Sequence, residues 1–221
     1  MTAQVHPTAI LEDGVELGPR THVWSGAHIR GPTQIGADCI VGEKSYVAYG
    51  VSIGDRVKVN AFVYVCTAVT IEDGVMVSAG TVFTNDRFPR AATSDLSRLR
   101  SSEPDMRTLP TLVREGATIG AGSVIGPDLV IGRWSMIGMG SVVTRSVPDF
   151  FLVVGHPARA VACVCRCGEP FLRFGADVPP DTDDAGCAAC GLRYAVRGRA
   201  VIELTPPLTA EVLAPQRRGT T

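Results

Sequence analysis

Aliphatic residues recur at every sixth position through the first part of the chain. From Val5 to Val77 all thirteen positions of this row are Val, Leu or Ile, and Phe83 continues it. The row resumes at Val113 and runs to Val143. A helix requires a period near 3.6, whereas a short extended segment followed by a corner fits a period of six. The pattern predicts a parallel β-helix, whose coils stack to bury the aliphatic row.

Glycine and other small residues occupy fixed places beside this row. A small or β-branched residue precedes the aliphatic one by two positions, which turns both to the same inner side of an extended chain. Corner residues are often Gly, Asp, Pro or Ala, which suit turns. The glycines that directly follow the row are Gly18, Gly36, Gly42, Gly54, Gly120, Gly126, Gly132 and Gly138. The corners are therefore predicted where these glycines fall.

Residues 84–112 interrupt the six-residue register. A loop of this length inside a compact repeat is usually functional. Its arginines, with one just beyond it, are Arg87, Arg90, Arg98, Arg100, Arg107 and Arg114. Guanidinium groups suit phosphate or carboxylate, which predicts one wall of a substrate site. A solvated charged loop is the alternative interpretation.

The composition narrows the class of protein. The chain has 221 residues and a net charge of −1, with 21 Lys and Arg against 22 Asp and Glu, so a nucleic-acid binder is disfavoured. The first residues carry neither a basic segment nor an apolar run typical of a secretory signal. The apolar stretch FFLVVG is too short to cross a bilayer. We expect a cytoplasmic protein with neither a nucleic-acid nor a membrane partner.

Five of the seven cysteines fall within the 28 residues from Cys163 to Cys190. Two pairs, Cys165-x-Cys167 and Cys187-x2-Cys190, are separated by nineteen residues. Two such turns with four thiolates are typical of a closed, structural Zn²⁺ site. Because the first pair is one residue shorter than usual, Cys163 is an alternative ligand to Cys165. Reduced free thiols are the other interpretation.

Over about residues 5–162 the chain resembles the hexapeptide-repeat acyltransferase family. The segments VFTNDRFPRA, GATIGAGSVI, IGRWSMIGMGSVVTRSVPDF and VVGHPAR are similar to the branch that N-acylates nucleotide-linked amino sugars. The resemblance implies transfer of an acetyl group from acetyl-CoA to the sugar amine. It also implies a left-handed β-helix with three hexads per coil and a homotrimer whose sites lie between subunits.

The predicted fold class is all-β, with three parts. A left-handed parallel β-helix acyltransferase domain covers 1–162 and carries the inserted loop at 84–112. A small zinc-ribbon-like module covers 163–204, and a flexible tail covers 205–221. The handedness comes from the resemblance alone.

The resemblance implies that Asn85 and Asp86 lie beside the sugar amine as catalytic residues. Residues 18 apart superpose in such coils, so Asn85 lies above Thr67, where many relatives have an acidic residue. Three coils, roughly 14 Å, separate the Asn85 layer from His28. His28 can therefore take part in catalysis only across a subunit interface. The alternative interpretation is that His28 is an exposed strand residue without a catalytic role. The expected substrate-binding residues are Thr67, Tyr64, Arg87 and Arg90.

The resemblance places coenzyme A along the later coils, with its adenine end near the VVGHPAR segment. The implied binding residues are Gly120, Gly138, Gly140, Arg145, Pro157 and Arg159. Short side chains let the pantetheine approach backbone amides. For any single glycine, however, turning of the coil is the better explanation.

Two other functions fit the same repeat. A gamma-type carbonic anhydrase requires three histidines on one zinc across a subunit interface; His22-x5-His28 partly matches, but no suitable third histidine follows. Zinc retained after Cys165→Ser would favour that enzyme. A non-catalytic β-helical scaffold is the second alternative, which absence of coenzyme A binding would support.

Overall fold

Parallel strands dominate the computed structural model, which describes residues 2–175 and 178–207. No helix in those residues is long and apolar enough to cross a membrane. Three sheets of mainly parallel strands form the sides of a column, and most paired positions lie 18 residues apart, as Lys58 and Met76 do. The six-residue pattern is therefore confirmed as a β-helix of stacked coils.

The first sheet contains β1 (Gln4–Val5), β4 (His22–Val23), β7 (Ile40–Val41), β10 (Lys58–Val59), β13 (Met76–Val77), β16 (Thr118–Ile119), β19 (Met136–Ile137), β21 (Phe151–Gly155), β22 (Ala158–Val164) and β23 (Pro170–Arg173). The second contains β2 (Ile10–Leu11), β5 (His28–Ile29), β8 (Tyr46–Val47), β11 (Tyr64–Val65), β14 (Val82–Phe83), β17 (Val124–Ile125) and β20 (Val142–Val143). The third contains β3 (Val15–Leu17), β6 (Thr33–Ile35), β9 (Ser52–Ile53), β12 (Val69–Ile71), β15 (Thr111–Val113) and β18 (Leu129–Ile131). A C-terminal sheet contains β24 (Thr182–Gly186), β25 (Arg193–Arg197) and β26 (Ala200–Glu203).

The aliphatic row forms the core of the column, and Ile29, Val65 and Ile125 are completely buried. Val5 is an exception, since 42% of it is exposed, and Leu11 and Leu17 of the same row are only partly buried. Val5 belongs to the first strand of its sheet, so no described coil packs beneath it. The insertion does not disturb the stacking, because Val82 on β14 pairs directly with Val124 on β17.

Close backbone approach explains the glycine that follows the aliphatic residue at one corner of the column. A Cβ on Gly54 would lie 2.3 Å from Oδ1 of Asp73 in the coil above. That oxygen accepts a hydrogen bond of 2.9 Å from the backbone N–H of Asp55. Asp55 repeats the arrangement one coil below, where its Oδ1 accepts from the N–H of Ala37 at 2.8 Å. A side chain at Gly54 would displace this carboxylate from its donor.

Gly54→Ala is therefore expected to lower the free energy of unfolding by about 1–3 kcal/mol, the usual cost of overpacking. Chemical denaturation measures the change. Gly175→Ala is the matched control, because no atom of the described residues, its chain neighbours aside, lies within 4 Å of its Cβ position. We expect that control to change stability by less than about 0.5 kcal/mol. Equal losses of unfolding free energy in the two variants would contradict the explanation of Gly54 by close backbone approach.

The cysteine-rich module packs against the last coils of the column. β22 pairs with β21 and β23 and runs through the boundary predicted at residue 163. The ring of Trp134 lies over Gly116, whose Cβ would approach it to 2.5 Å. The guanidinium of Arg166 also lies over this ring, 4.6 Å from its centroid, and forms a two-bond ion pair with Glu203 at 2.5 and 2.7 Å. Residues 208–221 of the predicted tail lie outside the described residues.

Candidate functional site

The insertion leaves and rejoins the column at the corner occupied by Asn85. Its Nδ2 donates to the carbonyl oxygen of Thr67 at 3.3 Å, and Oγ1 of Thr67 donates to the carbonyl oxygen of Tyr49 at 3.0 Å. These contacts show that residues 49, 67 and 85 superpose. The N–H of Leu109 donates to the carbonyl oxygen of Asn85 at 2.8 Å, which closes the insertion. Asn85 is thereby held between the coil below and the returning chain.

Asp86 lines a pocket of about 460 Å³ that is formed by the insertion. Its Oδ1 accepts from the N–H of Phe88 at 2.7 Å, a turn that fixes the half-buried carboxylate. The pocket is lined by Asp86, Arg87, Phe88, Arg90, Arg100, Met106, Arg107 and Leu109. A lining that combines four arginines with one carboxylate suits an anionic ligand that also carries an amine or hydroxyl donor.

Both of the expected substrate-binding arginines already have protein contacts. Arg87 forms an ion pair of 2.6 Å with Asp128, which joins the start of the insertion to the next coil. Arg90 donates from Nη1 to the carbonyl oxygen of Pro89 at 3.0 Å. A guanidinium offers five donors, so each of them keeps donors for a ligand.

His28 lies in a charged cluster away from Asn85. Its Nε2 is 2.9 Å from Oε1 of Glu12, which also accepts from Nε of Arg30 at 3.1 Å. Burial opposes ionisation of Glu12, but the hydrogen bonds from His28 and Arg30 lower its pKa overall. Within one chain, the strands carrying Tyr46 and Tyr64 lie between His28 and the strand that leads to Asn85.

Tyr64 presents its ring outward from the second sheet. The ring stacks on Tyr46 with centroids 5.2 Å apart, and Tyr46 in turn meets His28 edge-on at 5.5 Å. Burial raises the pKa of Tyr64. An aromatic row of this kind offers a flat apolar surface beside the insertion.

Packing and backbone conformation account for the glycines assigned to coenzyme A. A Cβ on Gly120 would lie 2.5 Å from the backbone nitrogen of Met139, and one on Gly138 would lie 2.7 Å from Cγ1 of Val154. Gly140 has a φ of 68°, the left-handed region that favours glycine. Their binding role stays a prediction, because these requirements arise from the coils themselves.

The structure brings Arg145 and Arg159 together at one pocket of about 270 Å³. Pro157 lies in the turn between β21 and β22 and is not part of its lining. Arg199, from the turn between β25 and β26, completes the lining from the side of the cysteine module.

The four cysteines of the two sequence pairs form one cluster, and their sulfur atoms all lie within 4.8 Å of one another. Sγ of Cys165 is 3.4 Å from that of Cys190, and Sγ of Cys167 is 3.6 Å from that of Cys187. Tetrahedral zinc with four thiolates at about 2.3 Å holds its sulfurs about 3.8 Å apart. Among residues 2–175 and 178–207 this is the one group of His, Cys, Asp and Glu arranged to hold a metal ion.

Hydrogen-bond donors surround these sulfurs. Burial opposes ionisation of Cys187, but the backbone N–H groups of Cys190 and Ala189 lower its pKa to about 7. The hydroxyl of Tyr194 lies 3.0 Å from Sγ of Cys165. Such donors around the sulfurs are typical of thiolate metal sites.

Cys163 does not belong to the cluster. It is completely buried in the main core and pairs with Phe151 and Leu172 across β21 and β23. Burial raises the pKa of its thiol to about 12. The alternative in which Cys163 replaces Cys165 therefore does not match the geometry.

Comparison with known families identifies the repeat. The profile described as "Bacterial transferase hexapeptide (six repeats)" matches residues 14–49, 50–85 and 110–145, and "Hexapeptide repeat of succinyl-transferase" matches 32–67. The column of this chain therefore carries the hexapeptide repeat that both profiles describe. The cysteine module of this hexapeptide-repeat protein lies outside the matched residues.

Two curated relatives and one solved structure resemble this hexapeptide-repeat protein. The dTDP-3-amino-3,6-dideoxy-alpha-D-galactopyranose 3-N-acetyltransferase of Aneurinibacillus thermoaerophilus is 44% identical over 84 residues, 38% of this chain and 40% of that protein. The bifunctional protein GlmU of Thermosipho africanus is 28% identical over 153 residues, 69% of this chain and 28% of that protein. The chain thus spans two fifths or less of these relatives.

The solved structure is that of AntD, an N-acyltransferase from Bacillus cereus in complex with dTDP and 3-hydroxybutyryl-CoA. It superposes with a TM-score of 0.51 at 20% identity and covers 75% of this chain and 81% of that one. At this identity the likeness concerns the fold.

Sequence reasoning missed two residues at the sites of this hexapeptide-repeat protein. Tyr194 contacts Cys165, and Arg199 reaches the pocket of Arg145 and Arg159. Both lie on the strands and turn after the second cysteine pair, where no repeat fixes a register. A tyrosine four residues after a cysteine pair was the available signal for the first; none marked the second.

Proposed function

We propose that the protein is an acyl-CoA-dependent N-acetyltransferase, which moves the acetyl group of acetyl-CoA to the amine of a nucleotide-linked amino sugar. The observation that carries the proposal is the pocket of the insertion, which Asp86 lines together with four arginines. Such a pocket suits a ligand with both phosphates and an amine. The relative that is 44% identical over 84 residues, by name an amino-sugar N-acetyltransferase, supports the same chemistry.

In the proposed reaction the neutral sugar amine attacks the thioester carbonyl carbon. The new C–N bond forms as the C–S bond breaks. The proton that the amine loses passes to Asp86, to water or to the departing sulfur, which leaves as thiolate or thiol. Asn85 and Asp86 hold the amine close to the carbonyl carbon, since alignment of the reacting atoms supplies much of the rate enhancement. Asp86 also stabilises the positive charge that develops on nitrogen. The arginines of the insertion bind the nucleotide phosphates.

We also propose a homotrimer that uses the outer face of the second sheet. This face carries the exposed apolar side chains Ile10, Tyr64, Val82 and Val124. The outward positions of the third sheet are instead polar where Gln34 pairs with Ser52. An exposed apolar row of this extent is typical of an interaction surface. Association there would bring a second chain close to His28, which one chain leaves distant from Asn85.

The four clustered cysteines are proposed to hold a structural Zn²⁺. Four thiolates fill a tetrahedral site and leave no position for substrate, so this metal would support folding rather than the reaction. Its place beside Trp134 and Phe150 would fix the module against the last coils.

The proposed activity is tested by incubating the purified protein with acetyl-CoA and a panel of nucleotide-linked amino sugars. Release of coenzyme A thiol and the mass of the sugar product report the reaction. We expect one or a few amino sugars to gain a single acetyl group, with no product from the corresponding sugars that carry a hydroxyl. Absence of product together with absence of coenzyme A binding by calorimetry would favour a scaffold instead.

A further inference from the structure

The four-cysteine cluster has two residues at the surface and two in the interior. Cys167 and Cys190 are exposed, whereas Cys165 is only 2% exposed and Cys187 only 3%. The two buried cysteines pack with Phe150, which precedes β21 of the column. A small solute can therefore reach the cluster from solvent at Cys167 and Cys190, while the other side of the cluster is closed by packing.

Each exposed cysteine has a buried partner from the other sequence pair at short distance. Sγ of Cys190 lies 3.4 Å from that of Cys165, and Sγ of Cys167 lies 3.6 Å from that of Cys187. A disulfide bond joins sulfurs about 2.05 Å apart, so small side-chain movements would suffice to form one in each case. A link between Cys165 and Cys167 would instead close a very small ring, because one residue separates them. The geometry thus favours two bonds between the sequence pairs over bonds within them.

The other three cysteines are buried and lie outside the cluster. They are Cys39, Cys66 and Cys163. Oxidation of a cysteine by peroxide depends on access as well as on the thiolate form of the sulfur. The chain therefore contains its own comparison, because accessible cysteines with a neighbouring sulfur occur beside buried cysteines outside that cluster.

We propose that the four-cysteine cluster is a site of reversible oxidation. A hydroperoxide converts its four thiolates into two disulfides, one joining Cys165 to Cys190 and the other joining Cys167 to Cys187. This inference rests on the proposed zinc site and gives that site a chemistry beyond support of the fold. A sulfur in a disulfide no longer offers the thiolate that binds zinc, so oxidation releases the metal. The new bonds connect the same two turns that the metal connects.

The oxidation takes place in two balanced steps for each disulfide. The thiolate of the exposed cysteine attacks one oxygen of the peroxide, the O–O bond breaks, and the sulfur becomes a sulfenic acid while hydroxide leaves. The thiolate of the buried partner then attacks this sulfur, forms the S–S bond and expels a second hydroxide. Protons from solvent convert both hydroxides to water. Each disulfide consumes one peroxide, which is reduced by the electron pair that the sulfurs lose.

Titration of the reduced, zinc-loaded protein with hydrogen peroxide tests the proposal. We expect release of one zinc per chain, measured with a chromogenic chelator, in step with the loss of four alkylatable thiols. Peptide mapping without reduction identifies the bonds, because trypsin cleaves after Arg166 and separates Cys165 from Cys167. Fragmentation between Cys187 and Cys190 then assigns the partner of each. A thiol reductant with added zinc should restore both the thiols and the metal.

Cys66→Ala is the matched control, because Cys66 is a buried cysteine outside the cluster. It should release zinc at the same peroxide concentration as the wild type, within about twofold. Oxidation of Cys39, Cys66 or Cys163 ahead of the cluster would overturn the assignment. Disulfides within the sequence pairs would overturn it as well, and so would zinc and all four cluster thiols retained in excess peroxide.

The result is read independently of acetyl transfer. A protein that forms the two disulfides but acetylates no sugar supports the oxidation site and rejects the proposed activity. A protein that acetylates a sugar but keeps its cluster reduced in peroxide retains the activity and rejects the site. A reduced protein that binds no zinc rejects the zinc site and, with it, the release of metal on oxidation.

Discussion

Cys187→Ser is expected to remove zinc from the protein and to unfold the cysteine module. The sulfur of Cys187 lies 3.6 Å from that of Cys167 within the four-cysteine cluster. Structural zinc sites of this class contribute about 10–16 kcal/mol of binding free energy to folding in small domains. Elemental analysis should fall from one zinc per chain to below about a tenth. Hydrogen exchange should rise on β24–β26 while the buried coils stay protected.

Cys163→Ala is the matched control, since Cys163 is a buried cysteine outside the cluster. It should cost some packing stability but retain one zinc per chain. Incubation of the wild type with a strong chelator should reproduce the hydrogen-exchange pattern of Cys187→Ser. This second experiment tests the prediction even if the variant is poorly produced. One zinc per chain retained after Cys165→Ser would contradict the assignment and point to a histidine site instead.

The column could be predicted from the sequence because the six-residue pattern that forms it is local. Each coil places an aliphatic residue inside every six positions, so Ile29 and Ile125 are buried wherever the insertion falls. The same local rule explains the superposition of Thr67 and Asn85. It fails in the first coil, where Val5 is exposed and Leu11 and Leu17 are only partly buried, because no coil of the described residues packs beneath them.

The contacts between the module and the column could not be predicted in this way. The approach of Trp134 to Gly116 and the reach of Arg199 toward Arg145 depend on how two separate units dock. No sequence period relates those positions. The spacing of the cysteines did indicate the cluster, because two tight turns bring paired thiols together wherever the module packs. It left Cys163 open, and only burial in the main core separates it from the cluster.

Asp86→Asn is expected to lower kcat/KM for acetyl transfer about a hundredfold, within the range usual for a positioned carboxylate that assists proton transfer. Asparagine retains an oxygen that can accept from the N–H of Phe88, so the turn that holds residue 86 at 2.7 Å from its donor persists. The negative charge facing the amine is lost. Because that charge acts most strongly as nitrogen becomes positive, kcat should fall more than KM rises.

Asp105→Asn provides a matched control inside the same insertion. Oδ1 of Asp105 accepts from the N–H of Arg107 at 2.8 Å, the same kind of turn, but its carboxylate is not part of the pocket lining. We expect its kcat/KM to stay within twofold of the wild type. Asn85→Ala should also reduce kcat/KM, since it removes the amide held at 3.3 Å from Thr67 beside the pocket. If Asn85→Ala and Asp86→Asn both retained wild-type kcat/KM, the reacting amine would have to bind elsewhere, and the arginine-lined pocket would serve only the nucleotide.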